Sequence, residues 1–308
     1  MNEIVKAINP FKGDEYFTKK EYFIIKKVLS FILVFISSML IGEVIVIVGL
    51  SIAGYDFLHG VMPSDDIMRL IKYYGFSIHA VVTILYCKFI EKRDLASMGI
   101  LRKKVIQSYI FGMGVAILLI GVILLIGVVS GSIIYEGKYD NLNIVIILAY
   151  LGGFIIQGAM EEIMCRGFLM NSLRKEVSIV TAIVISSVAF AFPHFSTLFA
   201  SGVIIRMIGV ANLILFSTVV SLLMIKYNNI WVSSAVHSIW NFILALIVGI
   251  NVSGVGSESS VFNFRTSERM TWLSGGEYGV EAGILCTVTL IVFIVIFVRK
   301  EKKLQNEI

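Results

Sequence analysis

Six side chains in the middle of this sequence are of types that hold charge or move protons, and they fall into three short spacings. Glu161 and Glu162 are followed by Arg166, Phe190 is followed four positions later by His194, and His237 is followed four later by Asn241. On a helix Glu162 and Arg166 share a face and can pair, which offsets much of the cost of burying either. Glu161 is turned about 100° from Glu162 and lies outside that pairing line. His237 and Asn241 can present an imidazole and an amide to one point, and Phe190 can form a wall beside the ring of His194. If these groups converge, a carboxylate and an imidazole can hold and deprotonate a water molecule. That water can attack a peptide carbonyl, while a second His and an Asn donate hydrogen bonds to the oxyanion that develops. No nucleophilic Ser or Cys is required.

The elements that must position these groups are transmembrane helices. The chain has 308 residues, of which 57% are hydrophobic and 15% charged, with a mean hydropathy of +0.90. That balance belongs in lipid rather than in water. Apolar runs of about 20 residues, enough to cross a hydrocarbon core about 30 Å thick, recur along it. The reading is an all-α polytopic membrane protein of about eight spans, near residues 28–53, 67–90, 106–129, 144–170, 178–198, 203–224, 232–250 and 281–298. Only Ala200, Ser201 and Gly202 separate the fifth from the sixth, so seven spans is the alternative.

Charge supports the even count. The net charge is +5, and the cations alternate between sides. Lys19, Lys20, Lys26 and Lys27 precede the first span, Lys88, Lys92, Arg93, Arg102, Lys103 and Lys104 follow the second, and Arg174 and Lys175 follow the fourth. Lys226 follows the sixth, and Arg299, Lys300, Lys302 and Lys303 follow the eighth. The intervening loops carry Asp56, Asp65, Asp66, Glu136 and Asp140. The positive-inside rule then puts both termini in the cytoplasm of a multi-pass cell-membrane protein. This distribution explains the excess of cations without nucleic acid as a partner. The polar first 20 residues do not resemble a cleavable signal, so the first span stays as an anchor.

The division that follows is a cytoplasmic N-terminal segment over residues 1–27, one transmembrane domain over 28–298 and a basic cytoplasmic tail over 299–308. Within the domain, residues 144–250 hold the motifs, and 251–280 form a polar outer loop that is either flexible or a cap over a cavity. Cys87, Cys165 and Cys286 lack the paired spacing of disulfide frameworks or zinc sites and are assigned no chemistry. Counting rise along ideal helices, Glu161 lies about 20 Å, His194 about 28 Å and His237 about 13 Å from the cytoplasmic boundary. Tilt, or a kink at Pro193, must close those gaps.

Taken together, these residues resemble the CAAX-protease and bacteriocin-processing family of intramembrane proteases, related to the type II prenyl endopeptidases. The family motifs Glu-Glu-x-x-x-Arg, Phe-x-x-x-His and His-x-x-x-Asn/Asp read here Glu161-Glu162-Ile163-Met164-Cys165-Arg166, Phe190-Ala191-Phe192-Pro193-His194 and His237-Ser238-Ile239-Trp240-Asn241, in family order. The stretch Gly275-Gly276-Glu277-Tyr278-Gly279-Val280-Glu281 also looks like a glycine-rich segment of some bacterial members. The resemblance implies that Glu161 and His194 activate the water, that His237 and Asn241 form the oxyanion hole, and that Glu162 and Arg166 support the site. It implies a peptide or membrane-protein substrate in the lipid bilayer. No cofactor is required on this reading. A divalent metal such as zinc, were one bound, would draw on Glu161, His194 and His237.

Competing readings use the same residues. A transporter can relay protons or cations through Glu161, His194 and His237, and a catalytically silent immunity protein can bind a peptide in the same cavity. Interhelical hydrogen bonding alone can also account for polar residues in spans. Glu43 and His79 have no assigned role, Arg206 is placed where it can snorkel to the outer surface, and Trp231 and Trp272 suit interfacial anchoring.

Overall fold

The computed structural model describes residues 19–56, 59–139, 142–256 and 260–306, the side chains of 302–306 excepted. Eight long helices are formed by the apolar runs: α1 (Lys19–Ile52), α2 (Asp65–Phe89), α3 (Val105–Val129), α4 (Ile144–Leu173), α5 (Ile179–Leu198), α6 (Val203–Tyr227), α7 (Ile230–Val248) and α8 (Ile284–Asn306). Among the described residues, the first seven are long and apolar enough to cross a membrane. Helix α8 meets Arg299, Lys300 and Glu301 within its first 18 residues, which leaves it the shortest apolar run. The protein is an all-α polytopic membrane protein, as its hydropathy requires. Residues 19–27 of the expected N-terminal segment are the first turns of α1. Residues 1–18 and Asp140, and the side chains of Lys302 and Lys303, lie outside the described residues.

Local signals account for the helix ends. Asn143 caps α4 by accepting from Val145 N and Ile146 N, and Ser178 caps α5 by accepting from Thr181 N. Between α6 and α7 the chain reverses over two asparagines. Asn228 ends α6 in the left-handed region (φ 45°), and Asn229 starts α7 by accepting from Trp231 N. Asn tolerates both tasks because its short amide bonds locally to the backbone.

Helix α7 is the centre of the bundle, with 78% of its apolar window buried against 22% for α1 and 17% for α2. It packs on α3, α4 and α6. Small residues allow the approach, as expected where lipid is no less apolar than the side chains. A Cβ on Gly112 of α3 would lie 2.3 Å from Val232 O, and one on Gly158 of α4 would lie 2.4 Å from Ser238 Oγ. Helices α1 and α2 flank this centre and pair with each other, with large apolar side chains such as Leu33, Val44 and Val81 exposed to lipid.

One element is absent from the hydropathy pattern. Strand β1 (Ile133–Lys138) pairs antiparallel with β2 (Phe262–Thr266), Ile133 opposite Thr266 and Lys138 opposite Phe262, with a bulge between Tyr135 and Gly137. The polar segment after α7 therefore has its own structure. It contains β2, a short helix (Thr271–Ser274) and tight turns at Gly276–Tyr278 and Val280–Ala282.

Candidate active site

Helix α4 does not run as a regular α-helix through the acidic motif. It is regular to Glu162 and then widens into a π-helix from Ile163 to Met170, the segment that carries Arg166. A π segment costs helix stability and persists where other groups satisfy its backbone. Those groups are present. Ser186 Oγ donates to Cys165 O (2.8 Å), and the guanidinium of Arg93 donates to Gly167 O (2.8 Å) and Phe168 O (3.2 Å).

Arg93, 6% exposed, thus enters the protein from the loop after α2 rather than facing water. It also donates to Ser172 Oγ and Glu91 Oε2, and Glu91 accepts from Lys27 as well. Burial pushes the Glu91 carboxyl up, but the hydrogen bonds from Lys27, Ser172 and Arg93 outweigh it and hold the group below the ordinary glutamate value.

Arg166 and Glu162 are both 0% exposed, and the i,i+4 pair expected from their spacing is made at 3.0 Å. Arg166 further donates to Ser217 Oγ (2.6 Å), Ser217 O (3.1 Å) and Ser221 Oγ (3.3 Å) of α6, and its guanidinium lies 4.7 Å from the Phe190 ring centroid. Each Arg166 nitrogen therefore has a partner, and the planar fork joins α4, α5 and α6.

His237 lies between the two carboxylates. Its Nδ1 is 3.1 Å from Glu162 Oε1 and its Nε2 is 3.7 Å from Glu161 Oε2. Phe190 and Phe216 meet the imidazole edge-on at 5.6 and 5.4 Å. Glu161 is not free, because Gln157 Nε2 donates to its Oε1 (3.2 Å), and Asn241 Nδ2 donates to Gln157 Oε1 (3.3 Å). The amide of Gln157 is thus a link between the acid and the asparagine. Its spacing of four from Glu161 was the available sequence signal.

His194 closes the constellation. Pro193 begins no full turn here; it lies in a 3-10 turn, Phe192–His194, that breaks α5. The turn lets His194 Nδ1 donate to Phe190 O (3.0 Å) and leaves Nε2 unengaged by that bond. Glu161, His194, His237 and Asn241 all line one cavity of about 630 Å³, together with Gln157, and with Glu43 and His79 on its α1 and α2 side. The four side chains thus share one cavity although counting along ideal helices sets them one or two turns apart.

Residues 142–243 match the family model for Rce1-like type II CAAX prenyl endopeptidases. The Rce1-like match spans about a third of the chain and contains all three motifs. It agrees with the resemblance read from those motifs. No similar curated protein and no similar solved structure is found.

Outside the Rce1-like motifs, His79 Nδ1 pairs with Ser38 Oγ (2.9 Å) and its ring packs between Phe35 and Phe76, an interhelical tie between α1 and α2. Arg206 caps the end of α5, donating to Leu198 O, Phe199 O and Ser201 O. Trp231 Nε1 donates to Leu101 O (2.7 Å), and Trp272 is exposed. Among the described residues no three His, Cys, Asp or Glu side chains are grouped so as to hold a metal ion.

Proposed function

We propose that the chain is an intramembrane endopeptidase that hydrolyses a peptide bond near or within the bilayer by a Glu/His-activated water, without a covalent intermediate. The observation that supports this reading is the lining of a single 630 Å³ cavity by Glu161, His194, His237 and Asn241. A water between Glu161 and Nε2 of His194 loses a proton to them as its oxygen attacks the carbonyl carbon. The oxyanion accepts hydrogen bonds from His237 Nε2–H and the second Asn241 Nδ2–H. For His237 to donate there while Nδ1–H faces Glu162, both ring nitrogens carry hydrogen. Collapse breaks the C–N bond, and the proton held by Glu161 or His194 passes to the leaving amine.

Glu162 and Arg166 touch no substrate in this mechanism; they fix the position of His237. Both termini lie on the cytoplasmic side of the cell membrane, with α8 crossing as the eighth span, a topology supported by the cations that follow α2 and α4 and by Lys226 in the last turn of α6. The substrate is a peptide or membrane-protein segment long enough to enter between α1 and α2 and the α4–α7 centre.

The test is mass spectrometry of membrane and secreted peptides from cells with the wild type, Glu161→Ala or His194→Ala, followed by cleavage in lipid vesicles. Both variants should lose cleavage while keeping the wild-type melting curve. Unchanged products in both would falsify the protease assignment. Proton flux across the vesicles that is lost in the same variants would favour the relay instead.

A further inference from the structure

We infer that Glu281 is a positioning residue that fixes the outer wall of the cavity, and that residues Val252, Ser253 and Val255 on this wall contact substrate. The inference rests on the protease reading for the word substrate, but the wall itself does not. Glu281 lies in the turn Val280–Ala282 that precedes α8, outside the matched segment 142–243. Its carboxylate reaches the cavity and accepts from two directions. Oε1 accepts from Trp240 Nε1 (2.9 Å), and Oε2 accepts from Ser253 N (2.6 Å) and Ser253 Oγ (3.0 Å).

Each partner leads back to the site. Trp240, 1% exposed, immediately precedes Asn241, and its ring packs on Phe216 at 5.1 Å, which in turn packs on His237. Ser253 belongs to the stretch after α7, of which Val252, Ser253 and Val255 line the cavity. One carboxylate thus joins the motif helix to the polar segment above it.

The turn that presents Glu281 is itself held on both sides. Asn212 of α6 donates from Nδ2 to Glu281 O (2.8 Å) and Gly283 O (2.9 Å), and Thr287 Oγ1 donates to Asn212 Oδ1 (2.7 Å). Asn251 Nδ2 donates to Glu277 O (2.7 Å), and Gly254 N donates to Tyr278 O (3.0 Å), lacing the wall to the glycine-rich turn. That lacing requires glycine at 279, where φ is +99° and a Cβ would stand 1.9 Å from Asn251 O.

The chemistry demands a carboxylate rather than an amide. Both oxygens of Glu281 receive N–H donors, from Trp240 on one side and Ser253 N on the other. Glutamine offers only one oxygen, so its NH₂ must oppose one of those donors. Both Glu281→Gln and Glu281→Ala therefore release one side or both.

The experiment uses the full chain in lipid nanodiscs and two readouts. Hydrogen exchange at residues 251–256 should rise at least tenfold in Glu281→Ala and at Ser253 or Trp240 selectively in Glu281→Gln, whatever the protein's activity. With a cleaved peptide in hand, Glu281→Ala should raise KM about tenfold with kcat changed less than threefold, whereas Glu161→Ala removes kcat. Unchanged exchange at 251–256 in both variants overturns the wall. A loss confined to kcat, with KM at the wild-type value, overturns substrate contact at the wall. If no peptide is cleaved by the wild type, the protease reading fails, and exchange together with binding of the same peptides to the wild type and Glu281→Ala still decides: equal affinities refute the inference.

Discussion

Arg166→Met removes a guanidinium from a site in which His237 is the other side chain that meets Glu162. Both side chains are 0% exposed and 3.0 Å apart. Glu162 Oε1 would retain only His237 Nδ1, while Oε2 already makes no hydrogen bond among the described residues. Stranding one charge of a buried pair costs about 3–5 kcal/mol. The hydrogen bonds to Ser217 and Ser221 are a lesser contribution, since interhelical bonds in membranes average about 0.6 kcal/mol each. The stranded carboxylate therefore dominates, and Arg166→Met should lower the folding equilibrium constant by a factor of about 10² to 4 × 10³. Arg166→Lys keeps the charge but surrenders the fork; with the three bonds to Ser217 and Ser221 lost, it should cost about 2 kcal/mol. The sharper test is the double variant Arg166→Met with Glu162→Gln, which removes both charges of the pair and should recover most of the loss. Reversible unfolding by SDS in mixed detergent–lipid micelles measures all four proteins. If the double variant is no more stable than Arg166→Met, or if Arg166→Met costs less than about 1 kcal/mol, the pair is not what holds α4 to α6, and the reasoning fails.

Three further outcomes are expected. Gly158→Ala places a methyl 2.4 Å from Ser238 Oγ and 2.8 Å from Ser238 N, so α4 and α7 must separate; about 1–3 kcal/mol of stability should be lost in the same SDS titration, along with cleavage, since Glu161 and His237 ride on those two helices. The Glu91 carboxyl is depressed in the folded protein, so its contribution is present above the ordinary glutamate value of 4.5 and disappears as pH falls through the folded value; Glu91→Gln should lower stability at neutral pH and flatten its fall below pH 4.5, read as melting temperature against pH. Gly279→Ala should be destabilised with raised hydrogen exchange at 251–256, because the methyl meets Asn251 O; wild-type exchange there would remove the argument for that glycine.

The spans were legible because lipid makes the apolar run itself the signal, and the three polar spacings were legible because an ionisable residue inside such a run is rarely incidental. The pairing of Glu162 with Arg166 followed from helix geometry alone. What surrounds them was not legible, and the reasons are particular. Arg93 reads as a loop cation, and only the tertiary fold brings it to the carbonyls of Gly167 and Phe168. Glu281 lies 40 positions from Asn241 in a turn whose shape depends on glycines. The rises used for His194 assumed a continuous α5, whereas Pro193 falls in a 3-10 turn. Strand β1 has only six residues, too few to stand out beside a 25-residue helix.

The π segment of α4 also bears on how this sequence tolerates change in length. A π turn holds one residue more than an α turn does, so Ile163–Met170 absorbs an extra residue between two fixed points. One point is Glu161 and Glu162 against His237; the other is Gly167 and Phe168 against Arg93. Deleting a single residue between them would let the segment relax to a regular α-helix with both anchors still in phase, whereas the same deletion in the regular part of α4 would turn one flank against the other by about 100°. The widened segment is thus a place within α4 where the loss of one residue need not part the carboxylates from His237 or the carbonyls from Arg93.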